Sequence, residues 1–119
     1  MIRPALIVAM LAALSAVPAH ATRDDAEIQH LLSTIGNSGC TFVRNGTDHP
    51  AQAAEDHLRM KYRHAGSRIG TAEAFIERLA SESSWTGQPY LIRCGADQPV
   101  PSGDWLSHQL REFRETRPG

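Results

Sequence analysis

Two cysteines, Cys40 and Cys94, constrain what this chain can fold into more than any other residues. Each ends a short run of aromatic and β-branched residues: Cys40 opens Cys40–Arg44, and Cys94 closes Tyr90–Cys94. Turn formers bound both runs, so both read as strands. Gly39 and Asn45-Gly46 flank the first; Gly87, Pro89 and Gly95 flank the second. If the cysteines are joined, the pairing direction follows. Parallel strands would hold the sulfurs about four residues apart, roughly 13 Å, whereas a bridge needs Cα atoms about 4.4–6.8 Å apart. Antiparallel pairing puts Cys40 opposite Cys94, Phe42 opposite Ile92 and Arg44 opposite Tyr90. Side-chain alternation then gathers Cys40, Phe42, Tyr90, Ile92 and Cys94 on one face, which helices can cover.

Whether the bridge forms depends on where the chain resides. Residues 1–21 have the three regions of a cleavable secretory signal in order. Arg3 is the only charge, Ala5 to Val17 is small and apolar apart from Ser15, and Pro18 precedes Ala19-His20-Ala21. A cut between Ala21 and Thr22 is expected, leaving a single small domain from Thr22 to Gly119. The apolar run falls short of the about 20 residues that cross a bilayer, so no membrane span is expected in the mature chain. Export places the cysteines in an oxidising compartment, where one intramolecular disulfide is the default. Such a closure contributes roughly 4 kcal/mol in the chain-entropy treatment, a large share of the usual net stability of about 5–15 kcal/mol. A redox pair would place its cysteines two residues apart at a helix start, which these are not.

Four amphipathic helices are expected around the strands. In the first, Ile28, Leu31, Leu32 and Ile35 recur at helical spacing, with Asp24, Asp25 and Glu27 in the first turn and Gly36 and Gly39 at the end. The second runs from Pro50 to His64, with Pro50 at its first position and Ala51, Ala54, Leu58, Tyr62 and Ala65 as its stripe. The third runs from Thr71 to Ser83, capped by Thr71, with Ala72, Phe75, Ile76, Leu79 and Ala80 inward. The fourth begins at Ser102 or Gly103 and carries Leu106, Leu110 and Phe113, with Trp105 beside them. The expected fold is therefore α+β: four helices packed around a short two-stranded antiparallel ribbon, in the order α-β-α-α-β-α, stapled by one disulfide.

Function is much less legible. A formal charge of −1 excludes bulk nucleic-acid binding, which wants a strongly basic surface. His57 and His64 lie seven residues apart, about 10.5 Å along a helix axis, too far for one zinc ion. No metal or cofactor is expected. Ser83 or Ser84 with His57 could form a nucleophile and base, but neither Gly-x-Ser-x-Gly nor Ser-x-x-Lys is present. Glu73 and Glu77 share a helix face without any sign of a catalytic pair. Asn45-Gly46-Thr47 fits a sugar acceptor and serves better as a turn. The one basic concentration is Arg59, Lys61, Arg63 and Arg68, without an intervening acid. Its plain reading is a solvated helix face; its functional reading is an anion- or partner-contacting surface.

Several segments, in order, resemble the YfeK-like family of small exported bacterial proteins, a domain of unknown function. They are Phe42-Val43-Arg44-Asn45-Gly46, His57-Leu58-Arg59-Met60-Lys61, Arg68 to Ile76, Ala80 to Ser84, Gly87-Gln88-Pro89-Tyr90, and Ile92. The resemblance covers most of Glu27 to Leu110. It implies a protein of the Gram-negative envelope and no reaction, so no catalytic residue carries over. It singles out Arg44, Asn45, Gly46, Lys61, Arg68 and Glu73, with a buried Arg44–Glu73 pair as one arrangement. The cysteine pair is not a fixed part of that family pattern, which implies that the fold can form without the bridge.

The resulting expectation is a small periplasmic protein that binds or modulates an envelope protein or an anionic envelope component, without chemistry. Its contacts are expected at Arg44, Arg59, Lys61, Arg63 and Arg68. A small cell-envelope hydrolase and an obligate homodimeric structural subunit are the alternatives. A pocket gathering polar side chains from several elements would favour an enzyme, and an exposed apolar patch a protein partner.

Overall fold

The computed structural model describes residues 19–117. The apolar run of the expected signal, Ala5 to Val17, lies outside the described residues. Helix α1 (Ala19–Asn37) leads into strand β1 (Thr41–Arg44), and strand β2 (Thr47–Pro50) turns directly into helix α2 (Ala51–Ala65). A 3-10 turn (Gly66–Arg68) precedes helix α3 (Ala72–Phe75), which passes into a π-helical turn (Ile76–Ala80). Strands β3 (Leu91–Arg93) and β4 (Val100–Pro101) and helix α4 (Ser102–Thr116) follow.

The α+β class and the disulfide hold, but the ribbon is wider than expected. The strands form a four-stranded antiparallel sheet in the order β2-β1-β3-β4. The element order is therefore α-β-β-α-α-β-β-α, counting the π turn with α3, and not α-β-α-α-β-α. The two added strands lack the pattern that marks a strand. Thr47–Pro50 is polar and mostly exposed, and exists as a strand because Asn45-Gly46 folds it back onto β1. Both turn residues have positive φ, 51° and 76°, as a two-residue hairpin turn requires. Strand β4 is only two residues long and borrows its order from β3.

The inner register is the one required by the cysteines. Phe42 faces Ile92, with Thr41 opposite Arg93 and Val43 opposite Leu91. Cys40 and Cys94 follow one step on, are joined, and have Cα atoms 4.4 Å apart. That spacing suits a non-hydrogen-bonded antiparallel pair. Phe42, Tyr90 and Ile92 are buried on the covered face.

The helices meet that face through the expected seams. Ile28, Leu31, Leu32 and Ile35 are fully buried, as are Ala72, Phe75, Ala80 and Leu106. Trp105 sets its ring edge-on to Phe42, and Phe113 stacks on His30 with ring centroids 3.9 Å apart. Helix α2 lies so close to α1 that a Cβ on Gly36 would strike the Glu55 carboxylate.

Helix boundaries differ in ways that matter. Helix α1 starts before the acids, so its first turn holds none. Asp25 instead accepts a hydrogen bond from the Tyr62 hydroxyl at 2.9 Å, and Glu27 turns into the protein. Pro50 ends β2 and caps α2; Pro101 does the same between β4 and α4. Thr71 caps α3 as expected, accepting from the Ala74 N–H at 3.0 Å. The third helix stops at Ala80, three residues early, because its end widens into the π turn. There Ser81 Oγ donates to the Ile76 carbonyl at 2.6 Å, and the buried Ser102 hydroxyl donates to the Ala80 carbonyl. The Ala80 carbonyl is one that a helix end leaves without an intrahelical partner.

Candidate anion-binding pocket

The side chains at one end of β1 and β3 converge on a cavity of about 320 Å³, lined by Arg44, His57, Lys61 and Tyr90 among others. Antiparallel register brings Arg44, the last residue of β1, beside Tyr90, just before β3. The four-residue spacing of His57 and Lys61 sets both on the side of α2 that faces this strand end. Their shared wall is electropositive. Neither Arg44 nor Lys61 lies in an ion pair among the described residues.

Burial leads the shifts of Lys61, Tyr90 and His57, and the Arg44 charge comes second in each. Lys61 Nζ donates to the Leu79 carbonyl at 2.7 Å and to the Tyr90 hydroxyl at 3.2 Å. Burial, then the nearby Arg44 charge, holds its ammonium below the usual lysine range, with Glu82 acting weakly in the opposite sense. Burial pushes the Tyr90 phenol up. The half-buried His57 is pushed down to about 4, first by burial and then by Arg44, Lys61 and His49. His57 is thus a neutral imidazole at ordinary pH, offering one donor and one acceptor.

The unfolded chain takes up a proton at an imidazole pKa of about 6.5, before the folded chain does. Stability is therefore complete above that pH and declines as pH falls towards the folded value of about 4. Because His57 is partly solvated, the loss is on the order of 1 kcal/mol. In urea titrations, His57→Gln is expected to flatten the decline between about pH 6.5 and 5, above the range where carboxylates protonate.

The far rim is a tight turn, Ser83 to Gly87, tied to the β1–β2 hairpin by both ends of one amide. Asn45 Nδ2 donates to Ser83 Oγ at 3.3 Å, and Thr86 Oγ1 donates to Asn45 Oδ1 at 2.6 Å. Ser83 Oγ also accepts from the N–H groups of Trp85 and Thr86, and the Gly87 N–H closes on the Ser83 carbonyl at 2.9 Å. Ser83 is thereby a buried structural residue. Among the described residues, no hydrogen bond joins His57 to Ser83 or Ser84, as a nucleophile–base pair would need.

The basic residues of α2 do not form one surface. Arg59 pairs with Glu55 of its own helix at 2.7 Å and turns to α1, where it donates to Gln29 and Ser33. Arg68 folds back onto the carbonyls of His64 and Ala65 at the end of α2. Arg63 is exposed. Only Lys61 joins Arg44.

The Arg44–Glu73 pair does not form, since α3 faces α1 and α4. Glu73 pairs with Arg114 at 2.6 Å. Arg114 also makes a two-pronged contact with Glu27, at 2.7 and 3.0 Å, and Arg117 reaches the same carboxylate at 2.8 Å. Glu27 is only 1% exposed, and the Arg114 hydrogen bond leads in holding its carboxyl below the usual range. No local pattern in the sequence marks this cluster: Glu27 looks like another first-turn acid.

Two wider grooves lie elsewhere. The one between α3 and α4, about 430 Å³, mixes Glu73, Glu77 and Asp104 with Arg111 and Arg114. The one beside the disulfide, about 640 Å³, is lined by polar residues without a carboxylate, arginine or lysine, by both cysteines and by Trp105. Neither sets two cations without an ion pair on one wall, among the described residues. Among the described residues, no three His, Cys, Asp or Glu side chains converge as metal ligands, and no helix is long and apolar enough to cross a membrane.

Comparison with known proteins places this arrangement in a family. Residues 22–114 match the DUF5329 family, described as a family of unknown function. The chain is also 40% identical over 89 residues to an "Uncharacterized protein YfeK" of Salmonella typhimurium, covering 71% of this chain and 74% of that protein. No solved structure matches the chain. With its family match spanning the sheet, all four helices up to Arg114 and the whole Arg44–Lys61 pocket, the chain belongs to the DUF5329 family of unknown function.

Proposed function

We propose that this chain is a periplasmic protein of the bacterial envelope that acts by binding, not chemistry, and that the pocket at Arg44 and Lys61 receives an anionic group. The observation that carries the reading is the pair of cations on one cavity wall, beside a neutral imidazole, with no ion-paired carboxylate. An arginine fork and an ammonium are the donors a carboxylate or phosphate selects. Export is supported by the Cys40–Cys94 bridge and by a family match that begins at residue 22, on the mature side of the expected cut. Cleavage there would also leave Asp24 and Asp25 near the new start of α1, where the helix dipole favours them.

A hydrolase draws some support from His57, Lys61, Ser83 and Ser84 lining the same cavity, but it lacks the hydrogen bond that would activate a serine. An obligate dimer draws less, because the apolar seams of the helices are already covered within one chain.

The test is to recover the protein from a periplasmic fraction, where its first residue is expected to be Thr22, and to titrate it with acetate by amide NMR. Shifts are expected at Arg44, Asn45, His57 and Lys61. Arg44→Ala is expected to weaken acetate roughly tenfold, the usual worth of a charge-assisted hydrogen bond. An equal response in wild type and Arg44→Ala would overturn the reading.

A further inference from the structure

We propose that the ligand of this pocket is an anionic group carried on a flat-faced ring, with the anion on Arg44 and Lys61 and the ring against the Trp85 indole. The inference rests on the binding role above and names its ligand. Trp85 lines the same cavity as Arg44, His57 and Lys61, and it is 96% exposed. A single exposed apolar residue means little by itself. Trp85 differs through its position and its mounting. It belongs to the one turn that Asn45 clamps from both ends of its amide, through Ser83 and Thr86. Its own N–H is held by Ser83 Oγ at 3.3 Å. The backbone that presents the indole is therefore ordered before any ligand arrives, which lowers the entropy lost on binding.

The partly exposed Met60 adds a soft apolar contact on the α2 side of the same cavity. Two cations, Trp85 and Met60 thus border an open site of about 320 Å³. That is at the small end of ligand sites, suited to one ring and one acidic group. An indole face takes either an aromatic ring or the C–H face of a sugar, so benzoate and glucuronate are the two probes.

The experiment titrates the full mature chain with benzoate, glucuronate, acetate and benzyl alcohol, following amide signals and both indole Nε1–H signals by NMR. At least one ring acid is expected to bind roughly fivefold or more tightly than acetate, a typical gain from ring stacking. Benzyl alcohol, with a ring and no anion, is expected to bind more weakly than that acid. The Trp85 indole signal is expected to move while that of Trp105, packed on Phe42, does not. Trp85→Ala should erase the advantage over acetate. Whichever ring acid wins identifies an aromatic or a sugar source. If neither ring acid beats acetate, or the advantage survives Trp85→Ala, the ring proposal fails while the anion site stands. If acetate also fails to shift Arg44 and Lys61, the binding role itself fails.

Discussion

Arg114→Met is expected to destabilise the domain by about 3 kcal/mol, the lower end for breaking a buried ion pair, and by more than Glu27→Gln. The asymmetry follows from which charge is left behind. The Glu27 side chain is 1% exposed, whereas that of Arg114 is 40% exposed. Removing the arginine strands a carboxylate in the interior with Arg117 as its remaining partner. Removing the carboxylate charge leaves Arg114 paired with Glu73 and turns Arg117 to water, and the amide oxygen of the substituted side chain still accepts from one of them, so the loss is about 1–2 kcal/mol. Urea unfolding at pH 7 reads both values as shifts in midpoint at unchanged slope. A larger loss for Glu27→Gln would refute this account of the cluster. Acid adds a second signature. Because Arg114 holds the folded carboxyl of Glu27 below its ordinary value, its contribution is complete above about pH 4.5 and is lost as pH falls through the lower folded value.

Reducing Cys40–Cys94 is expected to cost about 4 kcal/mol of stability. The bridge spans a sequence separation of 54 residues, and opening that loop returns its closure entropy to the unfolded chain. For a domain of this size the melting temperature should fall on the order of 15–30 °C. Cys40→Ala/Cys94→Ala should match the reduced wild type. The fold should persist at room temperature, because Ile28, Leu31, Leu32, Phe75, Ile92 and Leu106 form a closed core without the sulfurs. The bridge sits at one end of β1 and β3, whereas Arg44 and Tyr90 sit at the other. Acetate binding should therefore survive reduction. Coincident melting of oxidised and reduced protein would show that the bridge contributes nothing.

The parts of this fold that could be read in advance were those written in local periodicity. The seam Ile28–Leu31–Leu32–Ile35 and the face of α3 follow from a 3.6-residue repeat, and the caps and turns from single residues such as Thr71 and Gly46. The register of β1 on β3 was legible for a different reason: a covalent link between two strand ends leaves one geometry. Strand β2 was hidden because Thr47–Pro50 has no alternation, although Asn45-Gly46 was the signal for a hairpin. Strand β4 and the π turn have no sequence signature, since both depend on neighbours that arrive from elsewhere in the chain.

The same division applies to the pocket. Arg44 and Lys61 stood out as basic residues, but nothing in their spacing separated Lys61 from Arg59, two residues away and committed to α1. Asn45 was marked by the resemblance and as a turn residue, but nothing in the sequence tied it to the turn that carries Trp85; that link is tertiary.

The amino-acid order alone determined the α+β class, the helix faces, the disulfide and the antiparallel register. Each of these rests on local hydrophobic repetition or on one covalent constraint. Only the tertiary structure decided where the charges go. Arg114 finds Glu27 across 87 residues, Glu73 turns to Arg114 instead of Arg44, and Arg44 and Lys61 are left together on one wall. Ion pairing is set by distance in space and by burial, and neither quantity exists until the core has closed.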